Sequence, residues 1–239
     1  ALLSRIRSET KRGVDLMAGP PDAIGHGTGA AATAMGGQIG GRYTGVAPGA
    51  ELLAINSYSA YFDYVGAFAF AKDEGARVIL HEYSNWIFAH MDGTTNEEAA
   101  IDTLADEGIV SAIPAGNLTT ARKHAKLIIP AAGKGSLTVG GPGPYSGGYL
   151  SLHFMHGDPA QITVSVDHVE LPRDGTEVPV GSITAYSAGD TSPAGTHRVD
   201  VYLYDPQGAG IAVRFEVQIA WRGGDPLTMH AFATDEESG

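Results

Sequence analysis

The chain has 239 residues, 43% of them hydrophobic and 18% charged, which describes a folded protein long enough for one large domain or two smaller ones. A net charge of −12 with no basic block excludes a nucleic-acid partner, whose phosphates require a cationic face, and no apolar run reaches the roughly eighteen residues of a membrane span. The absence of cysteine excludes disulfides, thiolate metal sites and cysteine nucleophiles.

The opening stretch, "ALLSRIRSETKRGVDL", lacks the apolar segment of a signal peptide, and a chain that starts at Ala1 reads as processed or excised. "GHGTGAAATAMGG" (25–37) predicts a helix that opens at His26 and ends at the glycine pairs of "GGQIGG" (36–41). Ala30, Ala31, Ala32 and Ala34 would let that helix lie close to a sheet at little propensity cost. "ELLAIN" (51–56) reads as a buried strand, "YVGAFAFAKDEGA" (64–76) as a helix ending near Gly75, and "RVILHEY" (77–83) as a strand. "TTNEEAAIDTLADEG" (94–108) carries a capping-box start, Thr95 with Glu98, and a glycine stop at Gly108; "IVSAIP" (109–114) follows as a strand. This alternation predicts βαβ units and a mostly parallel sheet, with reactive groups at the carboxyl ends of the strands.

Beyond about residue 120 the period falls to two. "QITVSVDHVEL" (161–171), "HRVDVYLYDP" (197–206) and "PLTMHAFAT" (226–234) alternate, and Ile211, Val213, Phe215, Val217, Ile219 and Trp221 share one face. "PRDGT", "DPQGAG" and "RGGDP" separate the strands as turns. The expectation is an antiparallel, jelly-roll-like β-sandwich over 121–239, following an α/β domain over 1–120.

Three strings in the first half occur in order: "GHGTGAAATA" (25–34), "YTGVAPGAELLAI" (43–55) and "AIPAGN" (112–117). Together they resemble the subtilisin-like serine proteases, the subtilases (peptidase S8). The resemblance implies a partial subtilisin-like domain with His26 as the catalytic base and Asn117 as the oxyanion donor. The physics of each position agrees. A helix start is electropositive, which disfavours a second proton on an imidazole there, and a side-chain amide at the end of a buried strand meets a developing oxyanion. Ser84, in "YSNW" (83–86), falls where the family lays its substrate-binding strand, although the usual Ser-Leu-Gly is replaced.

A triad also needs an orienting carboxylate and a nucleophile. Glu9, Asp15 and Asp22 precede His26, and none stands in the family's D-[ST]-G turn. "GDTSPAGTH" (189–197) is the string nearest to the family's GTSxAxP, but Pro193 and Gly195 break any helix, so Ser192 is expected in a turn between strands. The triad aspartate and serine are therefore expected outside this chain, with residues 121–239 an insertion between Asn117 and the serine. "HEYSNWIFAH" brings His81, Glu82 and His90 together without the HExxH spacing of a zinc site.

The resemblance thus implies part of a secreted serine endopeptidase acting on peptide or protein substrates, with the remaining fragment of the same protease as an expected partner. No cofactor is required, and calcium is compatible with the family and the acidic charge. The alternative is a non-catalytic binding protein, a degenerate subtilase core whose sandwich takes carbohydrate or protein.

Overall fold

The computed structural model describes residues 6–8, 25–37, 44–55, 63–82, 89–116, 122–140, 147–207 and 214–235. The chain forms two compact units, one of Ala1–Ser84 with Asn96–Ala115 and one of Asn85–Thr95 with Gly116–Gly239.

In the first unit, β1 (Ile6–Ser8) pairs in parallel with β2 (Leu52–Ala54), and α1 spans His26–Met35. Helix α2 (Tyr64–Asp73), strand β3 (Val78–Leu80), helix α3 (Asn96–Asp106) and strand β4 (Val110–Ala112) follow. Strands β3 and β4 pair in parallel, Val78 opposite Val110. Asp63 caps α2 by accepting from the Gly66 N–H at 2.9 Å. Both α2 and α3 stop as the sequence predicts. Gly75 (φ 82°) and Gly108 (φ 80°) turn left-handed, and the next N–H reaches back five residues, Ala76 to the Ala71 carbonyl and Ile109 to that of Leu104. Only glycine adopts that turn without strain, which is why the helix ends were legible.

A small core of Phe68, Leu104 and Ile109, with Ile79 packed on it, joins the helices to this strand pair. Neighbouring side chains on the strands face the other way: Val78 is 62% exposed, Leu80 51% and Val110 60%. The parallel pairing among the described residues consists of two separate pairs of three-residue strands. The described residues thus show two separate parallel pairs and not one parallel sheet, and β3 is shorter than the 77–83 run predicted. Strand β1 had no signal in the sequence, since three residues are too few to show a period.

In the second unit the strands are β5 (His124–Ile129), β6 (Lys134–Val139), β7 (Gly147–Met155), β8 (Ile162–Val166), β9 (Val169–Glu170), β10 (Val178–Val180), β11 (Ile183–Thr191), β12 (Thr196–Tyr204), β13 (Phe215–Trp221) and β14 (Leu227–Asp235). They form a six-stranded sheet, β10-β11-β12-β7-β14-β5, and a four-stranded sheet, β6-β13-β8-β9. Their pairings are antiparallel. One buried cluster takes side chains from both sheets, among them Leu152, Phe154, Val199 and Met229 from the larger and Val164, Val217 and Ile219 from the smaller. Phe215, Val217, Ile219 and Trp221 are all buried, as the period of two requires; Ile211 and Val213 lie outside the described residues.

One predicted strand is corrected. Residues 161–171 form a hairpin, because Asp167 (φ 44°) and His168 (φ 70°) are both left-handed and Val166 comes to face Val169. Two consecutive residues with positive φ make the tight turn whose twist matches paired strands, and the Asp167 carboxylate holds it by accepting from the Glu216 N–H at 2.9 Å. The alternation of "VDHVE" continued through the turn and concealed it. The other turn signals hold. Asp174 accepts from the Thr176 N–H and Asp205 from the Gln207 N–H, each two residues on.

Candidate functional site

His26 is the first residue of α1 and is exposed; Gly25 before it is left-handed at φ 75°. No side chain caps this helix start. The helix is fastened at its other end by the "GVA" backbone. The Gly45 N–H donates to the Gly36 carbonyl at 2.9 Å, Val46 to that of Thr33 at 3.1 Å and Ala47 to that of Ala34 at 2.7 Å. The last carbonyls of a helix have no partner within it, so "GHGTGAAATA" and "YTGVAP" are two halves of one fastening. Gly45 must be glycine, since a Cβ there would stand 2.5 Å from the Gly36 nitrogen and 2.6 Å from that of Met35.

Strand β4 leads to Gly116, left-handed at φ 88°, just before Asn117. Asn117 and Ser84 lie outside the described residues, as do Glu9, Asp15 and Asp22. His26 is therefore the one predicted site residue whose position is described, and no contact among the three is.

The remaining candidates separate. His81 donates its backbone N–H to the Ala112 carbonyl at 2.9 Å and sets its ring edge-on to Phe68, with centroids 5.1 Å apart. Burial lowers its pKa, which suits a neutral packing residue. His90 belongs to the second unit. Among the described residues, no group of three or more His, Cys, Asp or Glu could hold a metal ion.

Ser192 lies in the turn between β11 and β12, as the sequence predicts, and it is buried. Its hydroxyl donates to Asp92 Oδ2 at 2.5 Å and accepts from the Thr196 N–H at 3.1 Å. Asp92 also accepts from the Thr94 hydroxyl at 2.6 Å and the Thr94 N–H at 3.3 Å. Burial alone would raise the Asp92 carboxyl, but hydrogen bonds from Ser192, Thr94 and Thr196 together outweigh it and bring the pKa down to about 2.

Beside this clasp lies a second polar row on β7 and β12. Ser151 donates to Asp200 Oδ1 at 2.5 Å and sits 3.0 Å from His153 Nε2, while His153 Nδ1 reaches the His90 carbonyl at 3.0 Å. A carbonyl only accepts, so Nδ1 carries the proton. Ser151 then has one proton for two acceptors, and the row is complete only when Asp200 or His153 holds another. Burial pushes Asp200 up, and burial lowers His153 to about 4 despite its bond to His90. Arg198 Nε stands 3.0 Å from Asp200 and 3.3 Å from Asp190, and His90 Nε2 is 3.1 Å from Asp190. None of these three contacts is aligned as a hydrogen bond. Although serine, histidine and aspartate meet here, Asp200 is on the serine instead of the histidine, and Ser151 has no exposed surface. The row is not a nucleophile's arrangement. Sequence reasoning missed both constellations, because their members come from segments up to 100 residues apart.

Comparison with known proteins agrees with the motifs. The family model described as the subtilase family matches residues 8–208. Fervidolysin from Fervidobacterium pennivorans is 33% identical over 124 residues, 46% of this chain and 17% of fervidolysin. The structure of the Clostridium perfringens CspB protease superposes with a TM-score of 0.67 at 17% identity, over 90% of this chain and 50% of that one. The chain thus spans half or less of the relatives it matches. With the family model covering most of its length, and with the helix that His26 opens fastened by the "GVA" backbone, this chain belongs to the subtilase family.

Proposed function

We propose that the chain is part of a secreted subtilisin-like serine endopeptidase that hydrolyses peptide bonds by acyl transfer. His26 is the general base and then the general acid, Asn117 donates its side-chain amide to the oxyanion, and Ser84 belongs to the strand that holds the peptide. The triad aspartate and serine come from other residues of the intact protease, and no cofactor takes part in the chemistry. Residues 121–239 are an inserted sandwich of accessory type.

The observation that carries the reading is the subtilase match over residues 8–208, with the HGT histidine as the first residue of α1. The outward face of β3 and β4 supports the expectation of further chain. Parallel strands are normally covered on both faces, yet Val78, Leu80 and Val110 are more than half exposed.

A fluorophosphonate serine probe tests it, followed by intact-mass measurement of the purified protein. The expected result is label on a companion fragment, or on a species well above 24.8 kDa, that is lost in His26→Ala. A single unlabelled species of this mass that cleaves no peptide refutes it, and the chain is then a binding protein on a degenerate core.

A further inference from the structure

Ser151 and His153 alternate along β7 with the core residues Leu152 and Phe154, so they stand on the sheet face turned away from the shared core. Both are nonetheless buried, at 0% and 2% exposure. Residues 89–95, which belong to the strand unit, reach this face: the His90 carbonyl lies 3.0 Å from His153 Nδ1, and Asp92 is bonded to Ser192. Phe232 of β14 sets its ring edge-on to His153, with centroids 5.1 Å apart.

Three contacts run in line here: the His90 carbonyl to Nδ1, Nε2 to Ser151 Oγ at 3.0 Å, and Oγ to Asp200 Oδ1 at 2.5 Å. Each needs one proton between its two heavy atoms, since a carbonyl, a bare ring nitrogen and a carboxylate only accept. A neutral imidazole, a hydroxyl and a carboxylate bring two protons to three contacts. Without a third, one buried pair meets lone pair to lone pair, which is costly away from water. The backbone sets which pair gives way. Ser151 stands opposite Asp200 in the β7–β12 ladder, and His153 is paired on both sides, with Arg198 and His230. His90 lies on a connection outside any strand.

We infer that the Asp200–Ser151–His153 row of the folded protein keeps a third proton, and that this proton latches the His90 carbonyl to the sheet. On its loss the Ser151 hydroxyl serves Asp200, the ring carries its proton on Nε2 to serve Ser151, and Nδ1 turns a lone pair on the His90 carbonyl. One proton leaves for solvent, and the bond of His90 is the one broken. The Asp92–Ser192 bond stays, so the release is confined to His90 and its neighbours. The groups facing the row are His90, Asp190 of β11, Arg198 of β12 and His230 of β14, with His124 and Lys126 of β5 beyond His230. Burial pushes the Asp200 carboxyl up, against the pull of Ser151 and Arg198, and so favours keeping the proton. The latch opens as the pH rises.

Nuclear magnetic resonance on the full chain reads it directly, through the ring nitrogen shifts of His153 and the carbonyl carbon shift of His90 between about pH 5.5 and about pH 9.5. In the wild type Nδ1 is expected to be protonated at the acidic end and bare at the alkaline end. The His90 carbonyl is expected to move upfield in the same step, as for a lost hydrogen bond. Asp200→Asn brings its own N–H to Ser151 and is expected to hold Nδ1–H and the His90 shift constant throughout. Ser151→Ala cuts the row and is expected to remove the step as well. An Nδ1 that stays in one state across the range in the wild type overturns the third proton. A step of the same size in Asp200→Asn or Ser151→Ala overturns it too, and a ring step with an unmoved His90 carbonyl overturns the latch. Should either variant unfold, the wild-type titration decides alone.

Discussion

Acidification should act on this protein through His153. The ring is 2% exposed, and its neutral form is held between Ser151 and the His90 carbonyl. Its pKa falls from 6.5 to about 4, chiefly by burial. In the unfolded chain it takes up a proton at the ordinary histidine value, so between about pH 6.5 and pH 4 the unfolded state binds more protons and stability falls with pH. The full stability is present above about pH 6.5 and the loss is complete below about pH 4. At about 1.4 kcal/mol for each tenfold, the depression corresponds to about 3 kcal/mol. His153→Gln removes the titration and keeps an amide N–H for the His90 carbonyl. Urea unfolding of both proteins at about pH 7 and about pH 4 isolates the group, because all other titrations cancel between them. The wild type should lose about 3 kcal/mol more than the variant over that interval. Equal losses would refute the account of His153 as a buried neutral ring.

Three further outcomes follow from other contacts. Asp92→Asn should cost about 1–2 kcal/mol near neutral pH, since the carboxyl is lowered from 3.8 to about 2. That contribution exists above the unfolded value and vanishes as the pH falls through about 2, so denaturant curves of variant and wild type should converge there. Gly45→Ala should lose about 2 kcal/mol or more, because its Cβ meets the backbone of Gly36 and Met35 and neither can rotate away; an unchanged melting temperature would count against the fastening of α1. Phe154→Ala should cost about 3–5 kcal/mol, read from the urea midpoint, because the ring is fully enclosed in the core that both sheets share.

How much was legible depended on how local the physics was. The ends of α2 and α3 were readable because a left-handed glycine and a five-residue return bond lie within the helix end itself. The buried face of β13 was readable because a period of two leaves no alternative over seven residues. The hairpin at Asp167 was not, since the turn residues continue the alternation of the strands they join. Strands as short as β1 carry no period, and their pairing depends on residues far along the chain.

The motifs "HGTG", "GVAP" and "AGN" point by themselves to the subtilase family, because their order and intervals are written along the chain. Tertiary structure alone decided that the GVA backbone caps the helix of His26. It also decided that Ser192, an ordinary turn residue by its neighbours, holds Asp92. The reason is the same in both cases. A buried hydrogen bond requires only that donor and acceptor arrive together, and a partner 100 residues away leaves no mark on the sequence beside either one.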